Sequence, residues 1–240
     1  FAQLAASQGS RIALRLVGLF HLRGQGGAAP DPPRGVHYLL RASRLGDAES
    51  MYRYALCLRS GQGRDAPDLE ESWKWVEASA GRGFATARFD LGFELLIGSG
   101  RSVLGEPSQG LAILRQLHAA GDPHGTLGVG VAYLIGRGVP RDRKRGRQLL
   151  LESARRGQLR SYYYLGLDAL DERTPAARVD AVRWLGIAAR SGDLQATLKL
   201  ARVLRASGDP AEARRARRLL ERAAARGSLE AQGLLTQESE

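Results

Sequence analysis

The sequence predicts an all-α protein, a solenoid of about six helix-turn-helix repeats. Three observations carry that prediction: a glycine that returns about every 36 residues, columns of small and bulky residues in register with it, and Gly-x-Gly turns between its recurrences. The recurring glycines are Gly9, Gly46, Gly83, Gly121, Gly157, Gly192 and Gly227, at intervals of 37, 37, 38, 36, 35 and 35. A fixed period in the range of roughly 20–50 residues marks an array of supersecondary units. The expected division is a half-repeat at 1–9, repeats at 10–46, 47–83, 84–121, 122–157, 158–192 and 193–227, and a capping helix at 228–240, all within one array.

Within each unit the columns have physical reasons. Four residues after the glycine stands a small side chain (Ala13, Ser50, Ala87, Gly125, Ser161, Ala196), and nine after it another (Gly18, Ala55, Gly92, Gly130, Gly166, Ala201). Small residues let helix backbones approach closely. Eight before the next glycine comes a bulky group, from Tyr38 and Trp75 to Trp184 and Leu219, expected to fill the gap between hairpins. Three residues before that group the side chain is small again, as at Gly35, Ser72, Gly110 and Gly146. The recurring glycine ends the second helix, where a left-handed residue is needed. Asp47, Asp122 and Asp193 follow it as N-caps of the next first helix. Gly24/Gly26, Gly61/Gly63, Gly98/Gly100 and Gly136/Gly138 make the turn within the hairpin, replaced by Thr174-Pro175 and Gly208-Asp209-Pro210 in the last two units.

The fourth unit reads Val129-Gly130, Tyr133, Gly136-Arg137-Gly138-Val139, Asp142 and Ser153-Ala154 before Gly157; the second carries Gly61-Gln62-Gly63, Trp75 and Ser79-Ala80; the fifth Leu165-Gly166, Trp184 and Ala188-Ala189. This pattern resembles the Sel-one-like repeat family, a relative of the tetratricopeptide repeats, over essentially the whole chain. The resemblance implies a right-handed α/α solenoid that binds proteins and has no catalytic activity. The third unit departs from it, with Leu117-His118 where Ala-Ala is usual and an insertion around Arg101–Pro107, so an irregular loop is expected there. Phe1 falls in the bulky column and Ala5-Ala6 in the Ala-Ala column, so the chain is expected to begin inside a repeat and to extend upstream.

Composition narrows function by exclusion. No stretch approaches the roughly 18 uninterrupted apolar residues of a membrane-spanning helix. A single cysteine, Cys57, rules out an intramolecular disulfide and a Cys-based zinc site, and its spacing places it in the core. His21, His37, His118 and His124 show no metal-ligand spacing; His21 occupies a packing column. The Gly-x-Gly pairs follow no strand, so they are turns rather than nucleotide loops. No cofactor, metal or enzymatic activity is expected.

The net charge of +11 is uneven. Residues 141–227 hold 21 Lys/Arg against 10 Asp/Glu, whereas residues 1–140 hold 15 against 12. Arg214, Arg218 and Arg222 lie at i, i+4 spacing on the last second helix and make one cationic ridge. Second helices tend to the convex side, so the ridge is expected to be solvated; it lacks the aromatic interleaving that base contact uses.

Binding is expected on the concave side, lined by first helices. Positions three and seven after each glycine share a face and vary in type. They give Glu49/Arg53, Thr86/Asp90, His124/Gly128, Arg160/Tyr164 and Gln195/Lys199, and all except Gly128 are the candidate contacts for a folded protein partner. Within Tyr162-Tyr163-Tyr164, Tyr163 is the packing tyrosine and Tyr164 the candidate anchor. What the resemblance implies most specifically is a bacterial, periplasmic immunity protein that neutralises a phospholipase effector of type VI secretion, with the cytoplasm as the other compartment. The alternatives are an envelope assembly scaffold or regulatory adaptor, and binding of an anionic membrane or nucleic acid by the basic third.

Overall fold

The structure is a computed structural model and describes residues 9–24, 29–98 and 106–236. Expectations placed on Phe1, Ala5-Ala6, Gly26, Gly100 and the insertion from Arg101 lie outside these residues. Every regular element described is an α-helix. The chain forms two compact units, Phe1–Leu114 and Arg115–Glu240. The first holds α1 (Arg11–Arg23), α2 (Pro32–Arg44), α3 (Ala48–Ser60), α4 (Leu69–Gly81) and α5 (Ala85–Ile97). Helix α6 (Pro107–Ala119) contributes to both. The second holds α7 (Pro123–Ile135), α8 (Arg143–Arg155), α9 (Ser161–Asp171), α10 (Pro175–Arg190), α11 (Leu194–Arg205), α12 (Pro210–Ala225) and α13 (Leu229–Thr236). In each unit successive helices pack in chain order, so α1–α2, α3–α4, α7–α8, α9–α10 and α11–α12 are helix-turn-helix hairpins.

The punctuation is as predicted. Gly46 and Gly192, with φ of 89° and 95°, lie just past a second helix in the left-handed region that a Cβ disfavours. Asp47, Asp122 and Asp193 each accept a backbone N–H of the following first helix. Second helices are capped too: Asp31, Asp68, Asp142, Thr174 and Asp209 do the same at their N-termini, with Pro175 and Pro210 following their caps at the first helical position. The proline linkers of the last two units are therefore helix starts.

The two small columns face each other inside each hairpin. A Cβ added to Gly146 would stand 2.9 Å from the Gly130 carbonyl oxygen and 2.7 Å from Leu134. In the second repeat the same crossing is Ala55 against Ser72, whose hydroxyl donates to the Ala55 carbonyl at 2.8 Å. The bulky column, by contrast, is half-buried: Tyr38 stacks on His21, Trp75 meets Tyr54 edge-on and Trp184 stacks on Tyr162. Deep burial belongs to the next residue, seven before each glycine. Leu39, Val76, Leu114, Leu150, Leu185 and Leu220 are all 0% exposed. At eight before the glycine a side chain lies along its own hairpin; one position on, 100° further round the helix, it points into the core.

One ionic knot lies inside the second unit. The Asp168 carboxylate, buried on α9, receives Arg143 at 2.8 Å and also Arg147, which reaches on to Glu172. A buried carboxylate is tolerated only when paired in this way.

Candidate partner-binding surface

The first helices α1, α3 and α5 of the first unit are tied by charge. From α1, Arg15 reaches Asp47 at 2.8 Å and Glu49 at 3.2 Å. Glu49 in turn accepts from Arg53, one turn along α3, at 2.6 Å. From α3 to α5, the Tyr52 hydroxyl donates to Asp90 at 2.9 Å. Burial first, and then the Asp90 carboxylate, pushes the Tyr52 phenol well above its usual range, so it stays a neutral donor. Thr86, one turn before Asp90, is exposed. The result is a polar lattice across three consecutive first helices whose members hold one another in place.

In the second unit the stripe is looser. His124 is exposed, with its Nδ1 3.1 Å from the Asp122 carboxylate that caps the same helix. Gly128 is buried and offers no side chain. Arg160 is exposed and hydrogen-bonds the half-buried Tyr164, which also packs edge-on against Tyr163 at 5.2 Å. Tyr162, the first of the three, is the one turned onto Trp184. Gln195 is exposed and Lys199 half-buried on α11. The structure thus joins Glu49 to Arg53 and Arg160 to Tyr164, and keeps the two groups in separate units.

Arg15 and Tyr52 were not legible as surface residues. Both sit six after their glycine, beside the predicted positions, and their long polar side chains in one variable column were the available signal. No group of three or more His, Cys, Asp or Glu among the described residues could hold a metal ion. Burial pushes the Cys57 thiol up to about 11, so at neutral pH it is not a nucleophile.

The Sel1 repeat family matches residues 11–47, 48–84, 123–158, 160–193 and 194–228, more than half of the chain. The chain belongs to the Sel1 repeat family. Sel1 repeat proteins are typically non-enzymatic binding modules. The longest stretch left unmatched, between 84 and 123, is the third repeat, where Leu117-His118 departs from the Ala-Ala pattern. There His118 accepts a different task, with its Nδ1 2.9 Å from the Thr126 hydroxyl of α7. Solved Sel1-type structures are similar in fold. A Sel1 repeat protein from Oxalobacter formigenes superposes with a TM-score of 0.70 at 22% identity, over 91% of this chain and 86% of that one. The antigen c5321 of uropathogenic Escherichia coli, described as protective and as displaying an SLR fold, gives 0.57 at 20% identity, over 96% of this chain and 57% of that one. The immunity protein PA5088 of Pseudomonas aeruginosa gives 0.55 at 17% identity, over 90% and 82%. A comparison with curated protein sequences found no match.

Proposed function

We propose that this Sel1 repeat protein docks a folded protein on the exposed face of its first helices, and that it is a bacterial immunity protein whose partner is a secreted phospholipase effector. The observation that carries the proposal is the lattice of Arg15, Glu49, Arg53, Tyr52 and Asp90. Its members Glu49, Arg53 and Asp90 stand three and seven after the glycine, where residue type varies between repeats, and side chains already held by neighbours lose less freedom when a partner arrives. An immunity protein among the distant structural neighbours supports the finer reading. Neutralising an effector of the cell envelope places the chain in the periplasm.

The test is co-purification with a phospholipase encoded beside it, followed by assay of lipid hydrolysis. The chain is expected to form a stable complex and abolish hydrolysis. The double variant Arg53→Glu/Thr86→Arg, which reverses the charge of half-buried Arg53 and sets a cation on exposed Thr86, is expected to weaken inhibition about tenfold or more with unchanged helicity. A complex without inhibition would point instead to an adaptor or scaffold. Full inhibition by the double variant would remove the first-helix face from the mechanism.

A further inference from the structure

In the second unit, α10, α11 and α12 enclose a cleft of about 480 Å³. Its rim is formed by Arg190 at the end of α10, by Arg215, Arg218 and Arg222 along α12, and by Arg226 at the C-cap of α12. Its floor is apolar, made by Ala189, Leu200, Leu219 and Ala223. No carboxylate lines it. Several arginines elsewhere in this unit find acids: Arg143 and Arg147 take Asp168, Arg178 takes Glu212 and Arg202 takes Glu230. Among the described residues the five rim guanidiniums make no ion pair. The acid whose charge Arg215 feels is Glu212, one turn earlier, which is already held by Arg178.

A second feature points to the same place. The cleft exists partly because α10 carries a glycine, Gly186, in its body. Other glycines in the bodies of second helices are required by packing: a Cβ on Gly35, Gly110 or Gly146 would come within 3.0 Å of backbone or leucine atoms of the partner helix. A Cβ on Gly186 would meet only Arg190 Nη1 at 3.5 Å and Arg215 Nη2 at 3.9 Å, which is ordinary contact with flexible side-chain ends. Glycine inside a helix is unfavourable relative to alanine, and here no neighbouring helix demands it. What its missing side chain provides is room under two guanidiniums.

We infer that this cleft docks an acidic segment of a protein partner, with its carboxylates on the arginine rim and an apolar side chain on the floor over Gly186. Guanidiniums suit carboxylates through paired N–H donors. A bilayer fits poorly, because the apolar atoms are recessed behind the charges where a side chain reaches and a lipid surface does not. Nucleic acid fits poorly because no aromatic side chain lines the cleft for a base to stack on. Neither Gln195 nor Lys199 lines it, so it is distinct from the first-helix face and stands whether or not that face inhibits an enzyme. The ridge expected to be plain solvated surface thus contributes Arg218 and Arg222 to a cleft.

Fluorescence anisotropy with a labelled peptide of alternating Glu and Leu tests the inference on the full chain. Saturable binding in the micromolar range, on the order of that for a modest pocket contact, is expected. Gly186→Leu, which fills the floor, and the double variant Arg215→Gln/Arg222→Gln are each expected to lose tenfold or more. Gly186→Leu should melt no lower than the parent; were it to misfold, the arginine double variant carries the result. Absence of saturation, equal binding of a Glu/Gly peptide, or equal binding by both variants overturns the inference. So does an anionic vesicle or a single-stranded oligonucleotide that binds more tightly than the peptide and loses that affinity in the same variants.

Discussion

Asp47 accepts the Ser50 amide and hydroxyl at 2.9 and 2.6 Å and receives Arg15 from the preceding first helix, so one carboxylate starts α3 and ties it to α1. Its aspartate identity was legible from the glycine before it; the arginine was not, because Arg15 lies 32 residues earlier. Arg173 shows the opposite case. It takes φ of 56° in the turn between α9 and α10, where Gly61 and Gly136 hold the equivalent turn of other repeats at 72° and 70°. A side chain in that region is strained by about 1 kcal/mol, part of which a glycine gives back through the freedom of the unfolded chain. Arg173→Gly is therefore expected to raise stability by about 0.5 kcal/mol, read as a higher urea midpoint. A lowered midpoint would mean that the turn holds no strain.

Between helices, two glycines in the bodies of second helices have opposite meanings. Gly146 of α8 lies against the Gly130 carbonyl, and a methyl there must push two backbones apart. Gly146→Ala is expected to destabilise by about 1–2 kcal/mol, overpacking outweighing the better helix propensity of alanine. Gly186→Ala adds a methyl beside mobile guanidiniums alone, so it is expected to stabilise by about 0.5–1 kcal/mol. Thermal melts of the two variants compare the pair directly, and shifts of the same sign would refute the distinction. Periodicity made Gly146 legible, since it recurs in a column. It could not give Gly186 a purpose, because the purpose lies in which side chains of α12 stand across from it. The fully buried column at Leu39, Val76 and Leu150 is not legible in the sequence for a related reason. Leucine and valine also stand on exposed faces of these helices, as Leu16 and Val179 do, so residue type does not single this column out.

For the molecule as a whole, acid is the condition that acts on both units. In the first, burial raises the Asp47 pKa, but bonds from Ser50 and Arg15 outweigh it and hold the carboxyl below its ordinary value. In the second, Arg141 holds Asp171 down and Arg178 holds Glu212 down. A carboxylate with a folded pKa below its unfolded one contributes stability that is complete above the unfolded value and is lost as pH falls through the folded one. Stability is accordingly expected to be level from neutral pH to about 5 and to fall below about 4, followed as urea midpoints by circular dichroism. Asp47→Ala should lower the neutral midpoint and flatten the acid decline. A midpoint that rises between pH 5 and 3 would contradict the assignment. The excess of arginine in 141–227 acts in the same sense, since protonating the few acids there leaves the guanidiniums unopposed.

The sequence alone determined the repeat: its length, its hairpins, its caps and its membership of a binding family follow from local rules. A left-handed turn needs glycine, a helix start needs an acceptor, and a close crossing needs a small side chain, and each demand recurs with the period. It also marked Glu49, Arg53, Thr86 and Asp90 as residues that packing leaves free to vary. Only the tertiary structure decided which charges meet. Arg15 with Asp47, Tyr52 with Asp90, and Arg143 with Asp168 join one helix to another's residues or cap, 25 to 38 residues apart in the chain. Charge attraction carries no period in the sequence, and whether an arginine finds an acid or faces an open cleft depends on what the neighbouring helix brings opposite it.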